Sequence, residues 1–491
     1  MDFDLLGRTA ATAGRERGTR SVFDPATGEV AREFHVADEH SVDAAVGRAH
    51  QAWQEHWRHT TAARRAAVLR RIADRVRAHA DEIAALEAVE VGKPLTQARQ
   101  FDLELCVASF EYYAGLLAHP PGQVRFDGPL TSVTELDPYG VVAGILPFNW
   151  PPIHLAAKCA PALAAGNAVV LKPPEQAPSA VIRLVELISL ELPDGLVQAV
   201  CGGATVGEAL VTHEKVGKIS FTGSVPAGRA VSALAARRLT PTLMELGGKN
   251  ALVVLAGADL GAAVRGAVEG AWFNQGEACT AASRLLVHES LHDEFVARLS
   301  AAVRRLVVGP PLEARTHVGP LVSRQQQTSV LGHLETAVAE GAEVAAEAPL
   351  HLPDRYADGF WVRPTLLTRV DPGSRAGQEE IFGPVATVTP FATAEEAVAI
   401  ANGTPFALVA GVYDRDTAAA WAVARRLDAG IVFVNNYNRS VLGTPFGGNR
   451  HSGHGREHSP ETLRAYGRSK SYRLPNGSGE VPQWFAVNEV T

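Results

Sequence analysis

GVVAGILPFNWPPIHLAAKCAPALAAGNAVVLKPPE, residues 140–175, decides how the rest of the chain is read. GVVAGILPF is a short, β-branched apolar run, as expected of a strand buried on both faces. PIHLAAKCAPALAAG has the apolar density of a helix and stops at Gly166. NAVVLKP is apolar and β-branched again. A strand, a helix and a second strand in succession predict a parallel βαβ unit, because parallel neighbours need a crossover between them.

The same rhythm runs downstream. PSAVIRLVELISLE, TVGEALVTH and SVPAGRAVSALAARR read as helices that alternate with the strands LVQAVCG and VGKISFTG. The span 140–246 is therefore predicted to be a doubly wound, Rossmann-like α/β domain. A second alternation starts at NALVVL, and LGAAVRGAVEGAWFNQG is read as one helix leading into Cys279. The pattern continues to IVFVNN and predicts a second α/β domain over 247–450. Upstream, 41–118 carries helical periodicity, with a stop at Gly92-Lys93-Pro94. Residues 123–141 read as strands around a turn at Asp127-Gly128, and the last residues hold strand-like and turn-like pieces without a helix pattern.

Bulk properties fit this picture. A chain of 491 residues exceeds what one core supports and implies two or three domains. Apolar residues make up 46% and charged residues 20%, as in water-soluble globular proteins. A net charge of −7 gives no reason to expect nucleic-acid binding. The start, MDFDLLGRTA, lacks a basic segment followed by an apolar one, so no secretory signal is expected. The longest apolar candidate is broken by Lys158, Pro161 and Asn167, so no membrane helix is expected. Four separated cysteines without a CxxC pair fit neither a disulfide framework nor a metal site, and a reducing cytoplasm is the expected location.

Cys106, Cys159 and Cys201 sit in helical or strand patterns and read as small core residues. Cys279 differs. In FNQGEACTA, residues 273–281, it has small neighbours and follows Gly276 at a helix-to-strand junction, where a side chain can face a cleft. It reads as a nucleophile or as a core filler. Glu245, in MELGGKN, lies between a buried-looking strand and a Gly-Gly turn. Apolar flanks should raise its pKa towards general-base values; the bland alternative is a loop glutamate paired with Lys249. Asn149 follows a parallel strand, at the edge where ligand sites gather in such sheets. Its amide can donate to an oxyanion, or it simply makes a turn before Trp150-Pro151. FTGSVPAG places Gly223 and Ser224 after a strand and at a helix start, where a phosphate can bind. VVLKPPE puts Lys172 at a strand end and Glu175 just beyond it.

PFNWP, LKPPEQAP, FTGS, MELGGKN, FNQGEACTA, EEIFGPV and PFGG occur in that order. On these motifs the chain resembles the aldehyde dehydrogenase superfamily from about residue 20 to about residue 475. The resemblance implies a dinucleotide-binding domain (1–120 and 140–246), a catalytic domain (247–450) and a small β arm for oligomerisation (121–139 and 466–491). It implies Cys279 as nucleophile, Glu245 as the base that activates water, and Asn149 with the Cys279 backbone N–H as the oxyanion hole. Lys172 and Glu175 match residues at the adenosine ribose, and Gly203 and Gly207 a wall near adenine. Gly223 and Ser224 match the pyrophosphate site, and Glu380 and Phe382 the contacts to the nicotinamide ribose and ring. Phe148, Trp150, Phe221 and Leu246 complete the expected cofactor site. No metal is expected.

The implied reaction is NAD(P)-dependent oxidation of an aldehyde to its acid, through a thiohemiacetal and a thioester on Cys279. Glu245 argues for hydrolysis over transfer to coenzyme A. Glu175 should repel a 2′-phosphate, so NAD is preferred, with NADP as a second cofactor. A homodimer or homotetramer is expected. The chain departs from the family's frequent pattern at Glu277, where many members have glutamine, and at Pro173-Pro174. Glu457 matches a second family glutamate in a water channel. Trp150, His154, Thr280 and the loop 436–446 are expected to line the substrate pocket, with Ala157 widening it where relatives carry tryptophan. Arg439 is a candidate basic group for an acidic semialdehyde. An aliphatic or aromatic aldehyde is the preferred substrate. A catabolic semialdehyde is the alternative; a non-redox thioesterase or esterase and a non-catalytic dinucleotide-binding protein are the competing classes.

Overall fold

A computed structural model describes residues 18–438 and 441–481. Two mixed sheets form its centre. The first runs, in spatial order, Gly453–His454, Thr242–Glu245, Val216–Thr222, Val141–Ile145, Ala168–Lys172 and Val197–Ala199. All neighbours are parallel except the Gly453–His454 edge. The second runs Glu343–Glu347, Thr365–Thr368, Val385–Phe391, Arg284–His288, Ala251–Val254, Val409–Tyr413 and Ile431–Val434, with one antiparallel pair at the Glu343–Glu347 edge. This is the α/β architecture that the alternating pattern predicts.

The helix Pro151–Ala164 shows why 140–175 is decisive. Proline at its first positions costs nothing, because those N–H groups have no intrahelical partner. Every residue of this helix is buried, so it packs within the molecule on all sides. It is closed by Gly166 at φ +91°, a left-handed conformation that suits glycine. Asn167 then donates from Nδ2 to the carbonyls of Ala162 and Tyr466 and accepts from the Gly140 N–H. One asparagine thus pins a helix end, a strand start and the C-terminal segment together.

The stretch 19–35, which carried no sequence expectation, forms a hairpin of Thr19–Phe23 and Val30–His35. Gly122–Asp127, Leu130–Pro138 and Gly467–Pro475 make a separate antiparallel three-stranded sheet. The tail segment 482–491, expected to belong to the same arm, lies outside the described residues, as do 1–17.

One expectation needs correction. The helix leading to the cysteine is Leu260–Trp272 and does not reach Gly276. Asn274 and Gln275 adopt left-handed φ values of 52° and 56°, followed by Gly276 at +70°. Helical periodicity cannot anticipate this reversal, because tertiary contacts impose it. The Gly383 carbonyl lies where a Cβ on Gly276 would go, and the Asn274 side chain donates to the carbonyls of Asn149 and Glu277.

Candidate active site

The left-handed turn delivers Cys279 to the wall of a cavity of about 160 Å³. Phe101, Trp150, Phe273, Phe433 and Phe446 give this cavity an aromatic lining, and His154, Thr280 and Glu457 add polar atoms. A larger groove of about 870 Å³, with Arg48, Glu55, Arg71 and Glu191, shares no lining residue with it and carries charges of both signs. Cys279 is half-buried, whereas Cys106 and Cys159 are fully buried core residues and Cys201 is partly exposed. Of the four, Cys279 is the one that faces this cavity. Its carbonyl accepts from the Asn250 Nδ2 at 2.7 Å. Burial pushes the thiol above its ordinary pKa, and the neighbouring carboxyls of Glu380 and Glu245 push the same way.

Glu245 is the last residue of Thr242–Glu245, at the carboxyl edge of the first sheet. It is buried, and neither carboxyl oxygen has a hydrogen-bond partner among the described residues. The pairing with Lys249 is absent, and the Lys249 amine is itself unpartnered and lowered to about 7 by burial. Burial raises the Glu245 pKa well above the usual carboxylate range; Glu457 adds to the rise and Lys158 opposes it. Lys158 donates from Nζ to Glu457 at 2.9 Å and to Thr222 Oγ1 at 2.8 Å. A buried carboxyl with no committed bond is suited to take a proton from water.

Asn149 donates from Nδ2 to the Glu277 carbonyl at 3.1 Å, which ties the amide to the loop carrying Cys279. A primary amide has two N–H donors, so this bond leaves one for an oxyanion. The Glu277 carboxyl accepts from the Val322 N–H at 3.1 Å and so is turned towards Val322. Behind Trp150, Lys93 is fully buried and paired with Glu87 and Asp102. Ala157 is buried and is not among the residues that line the cavity. Arg439 lies outside the described residues.

A second group of predicted residues gathers beyond the carboxyl ends of the first sheet. Lys172 ends its strand and donates to the Pro173 carbonyl at 3.2 Å. Burial lowers its ammonium pKa, with Glu175 opposing the shift. A Cβ on Gly203 would lie 3.5 Å from both Glu175 oxygens, and one on Gly207 would lie 3.6 Å from Lys172 Cδ. Glu175 is ion-paired with Arg20 of the N-terminal hairpin. Gly223 donates its N–H to the Glu245 carbonyl at 3.0 Å, and Ser224 caps the helix Val225–Ala236. Phe221 lies under Gly223 and Leu246 under Gly228. Nearer the cysteine, Glu380 accepts from the Gly248 N–H at 2.9 Å, and burial raises its carboxyl to about 7. Phe382, at φ 54°, meets Phe148 edge-on at 5.8 Å.

Sequence reasoning missed Lys158, Arg20 and the Lys93 cluster. For Lys158 a signal existed: one charge inside an otherwise apolar helix. Arg20 carried none.

This arrangement has close counterparts. The model of the aldehyde dehydrogenase family matches residues 12–472. The chain belongs to the aldehyde dehydrogenase family. As a member it is an oxidoreductase acting on the aldehyde group. It is 45% identical to aldehyde dehydrogenase citD of Monascus ruber over 96% of this chain and 94% of that protein. It is 37% identical to 4-trimethylaminobutyraldehyde dehydrogenase of Sus scrofa, over 94% of each. Among solved structures, the NAD+ complex of aldehyde dehydrogenase from Bacillus cereus superposes with a TM-score of 0.91 at 36% identity, covering 94% of both chains.

Proposed function

We propose that this aldehyde dehydrogenase oxidises an apolar, preferably aromatic, aldehyde to its carboxylic acid, with Cys279 as nucleophile, Glu245 as general base and NAD as preferred cofactor. The observation that carries this reading is the meeting of Cys279 with the unbonded Glu245 carboxyl beside an aromatic cavity.

Having given up its proton to water, Cys279 adds as the thiolate to the carbonyl carbon, and the oxygen, becoming negative, is held by the free Asn149 N–H and the Cys279 backbone N–H. Losing hydride, the adduct becomes a thioester. Glu245 takes a proton from water, which attacks the thioester and releases the acid and the thiol. A dinucleotide, when bound, would supply the hydride acceptor and a positively charged ring.

The residues present fit such a cofactor. Gly203 and Gly207 leave side-chain space open beside Glu175 and Lys172, the capped helix start at Ser224 suits a pyrophosphate, and the Glu380 carboxyl lies near enough to Cys279 to act on its thiol. The domain from 1–120 and 140–246 would hold the dinucleotide, 247–450 would supply the cysteine, and 121–139 with 466–491 would form the oligomerisation arm. That arm exposes Val124, Phe126 and Leu474, apolar surface that a second copy would cover. A homodimer or homotetramer in the cytoplasm is the state we propose. Among the described residues no helix is long and apolar enough to cross a membrane.

NADH absorbance with a panel of aldehydes tests the reading. Cys279→Ala should abolish NADH formation and keep NAD binding. Glu245→Gln should give one burst of NADH and then stall, and unchanged steady-state turnover in that variant would refute the base assignment.

A further inference from the structure

We propose that His154 selects the substrate by hydrogen-bonding a hydroxyl group carried on the ring of an aromatic aldehyde. The inference rests on the oxidation proposed above and adds a substrate class to it.

His154 lines the Cys279 cavity from the buried helix Pro151–Ala164. It is 5% exposed, and neither ring nitrogen has a hydrogen-bond partner among the described residues. Buried polar atoms are normally bonded, and leaving one bare is costly. The charged and titratable groups acting on it are Lys158, His458 and Lys93; together with burial they hold its pKa well below the ordinary histidine value. The ring is therefore neutral, with one nitrogen a donor and the other an acceptor.

The rest of the cavity fixes the partner. Trp150 stands one helical turn before His154, with ring centroids 6.4 Å apart. Phe101 packs edge-on against both Trp150 and Phe273. A volume of about 160 Å³ suits one benzene ring, since an apolar cavity of about 150 Å³ holds benzene. A hydroxyl can either donate to the acceptor nitrogen or accept from the donor nitrogen, so it bonds whichever nitrogen of the neutral imidazole faces it. A carboxylate or phosphate on the ring is disfavoured, because Glu457 lines the same cavity.

The test measures kcat/KM for benzaldehyde, hexanal, the three hydroxybenzaldehydes and their methoxy counterparts. The wild-type enzyme should favour one hydroxy isomer over benzaldehyde by about tenfold or more, as sites built to bond a hydroxyl do. In His154→Leu the ratio of that isomer to benzaldehyde should fall to about one. His154→Gln should retain part of the preference, because a carboxamide also donates and accepts. A ratio unchanged in His154→Leu, or no hydroxyl preference in an enzyme that oxidises benzaldehyde, overturns the role of His154 and leaves the oxidation standing. No NADH from any of these aldehydes overturns the oxidation and the inference together.

Discussion

Lys158 donates from Nζ to Glu457 Oε1 at 2.9 Å, with both side chains closed off from solvent. The pair stands beside Glu245, and its two members act on Glu245 in opposite directions, the carboxyl raising its pKa and the ammonium lowering it. Buried charges are retained in such a place only with a partner.

As the proposed base, Glu245 would act only when ionised, so thioester hydrolysis should fail as pH drops through its raised pKa. Glu457→Gln removes a cause of that rise. The acid limb of kcat should move to lower pH in this variant, as read from the pH profile of steady-state NADH formation. A limb that stays in place would show that another group sets it.

Gly447 approaches Glu245 so closely that a Cβ there would collide with the carboxylate and with the Gly455 carbonyl. Gly447→Ala should displace the base by a fraction of an ångström to an ångström. Misplacement of about 1 Å can cost about 100-fold. The steady-state rate should fall on that scale while the initial NADH burst survives; equal loss of both would place Gly447 outside the hydrolytic step.

Glu175, proposed to select the cofactor, is ion-paired with Arg20. Glu175→Ala removes a negative charge from the expected ribose site and leaves Arg20 and Lys172 without it. With NADP, kcat/KM should rise by about tenfold, the scale of one charged hydrogen bond, while the value with NAD falls. If NADP use does not improve, Glu175 is not the selecting group.

Lys93 is buried with Glu87 and Asp102. Burial and Asp102 raise the Glu87 pKa strongly, and Lys93 opposes that. Lys93→Ala leaves two acids facing each other in the core. Removing one partner from a buried ionic cluster costs about 3–5 kcal/mol. The thermal transition should fall clearly in a melting scan, and an unshifted transition would show that the cluster is already neutral.

The alternating βαβ rhythm was legible because it is written in local periodicity. Val141–Ile145, Ala168–Lys172 and Val216–Thr222 are apolar for the same reason that they are central strands: both faces are covered. Their carboxyl ends announce Asn149, Lys172 and Gly223 without any coordinates. The cavity-facing position of Cys279 was equally legible, because small residues around a cysteine at a helix-to-strand junction are a local signal.

Local patterns carry no information about which distant chain arrives. Arg20 reaches Glu175 from a hairpin far away in sequence, and Lys158 reaches Glu457 across a separation of 299 residues. The turn at Asn274 and Gln275 breaks its helix because the Asn149 and Glu277 carbonyls claim the Asn274 amide. The sequence by itself determined the α/β class and the family, and singled out the candidate reactive side chains, through periodicity and ordered motifs. The tertiary structure alone decided the unbonded state of the Glu245 carboxyl, the orientation of Glu277 and the unbonded state of His154, because burial and long-range hydrogen bonds exist only once the chain has closed on itself.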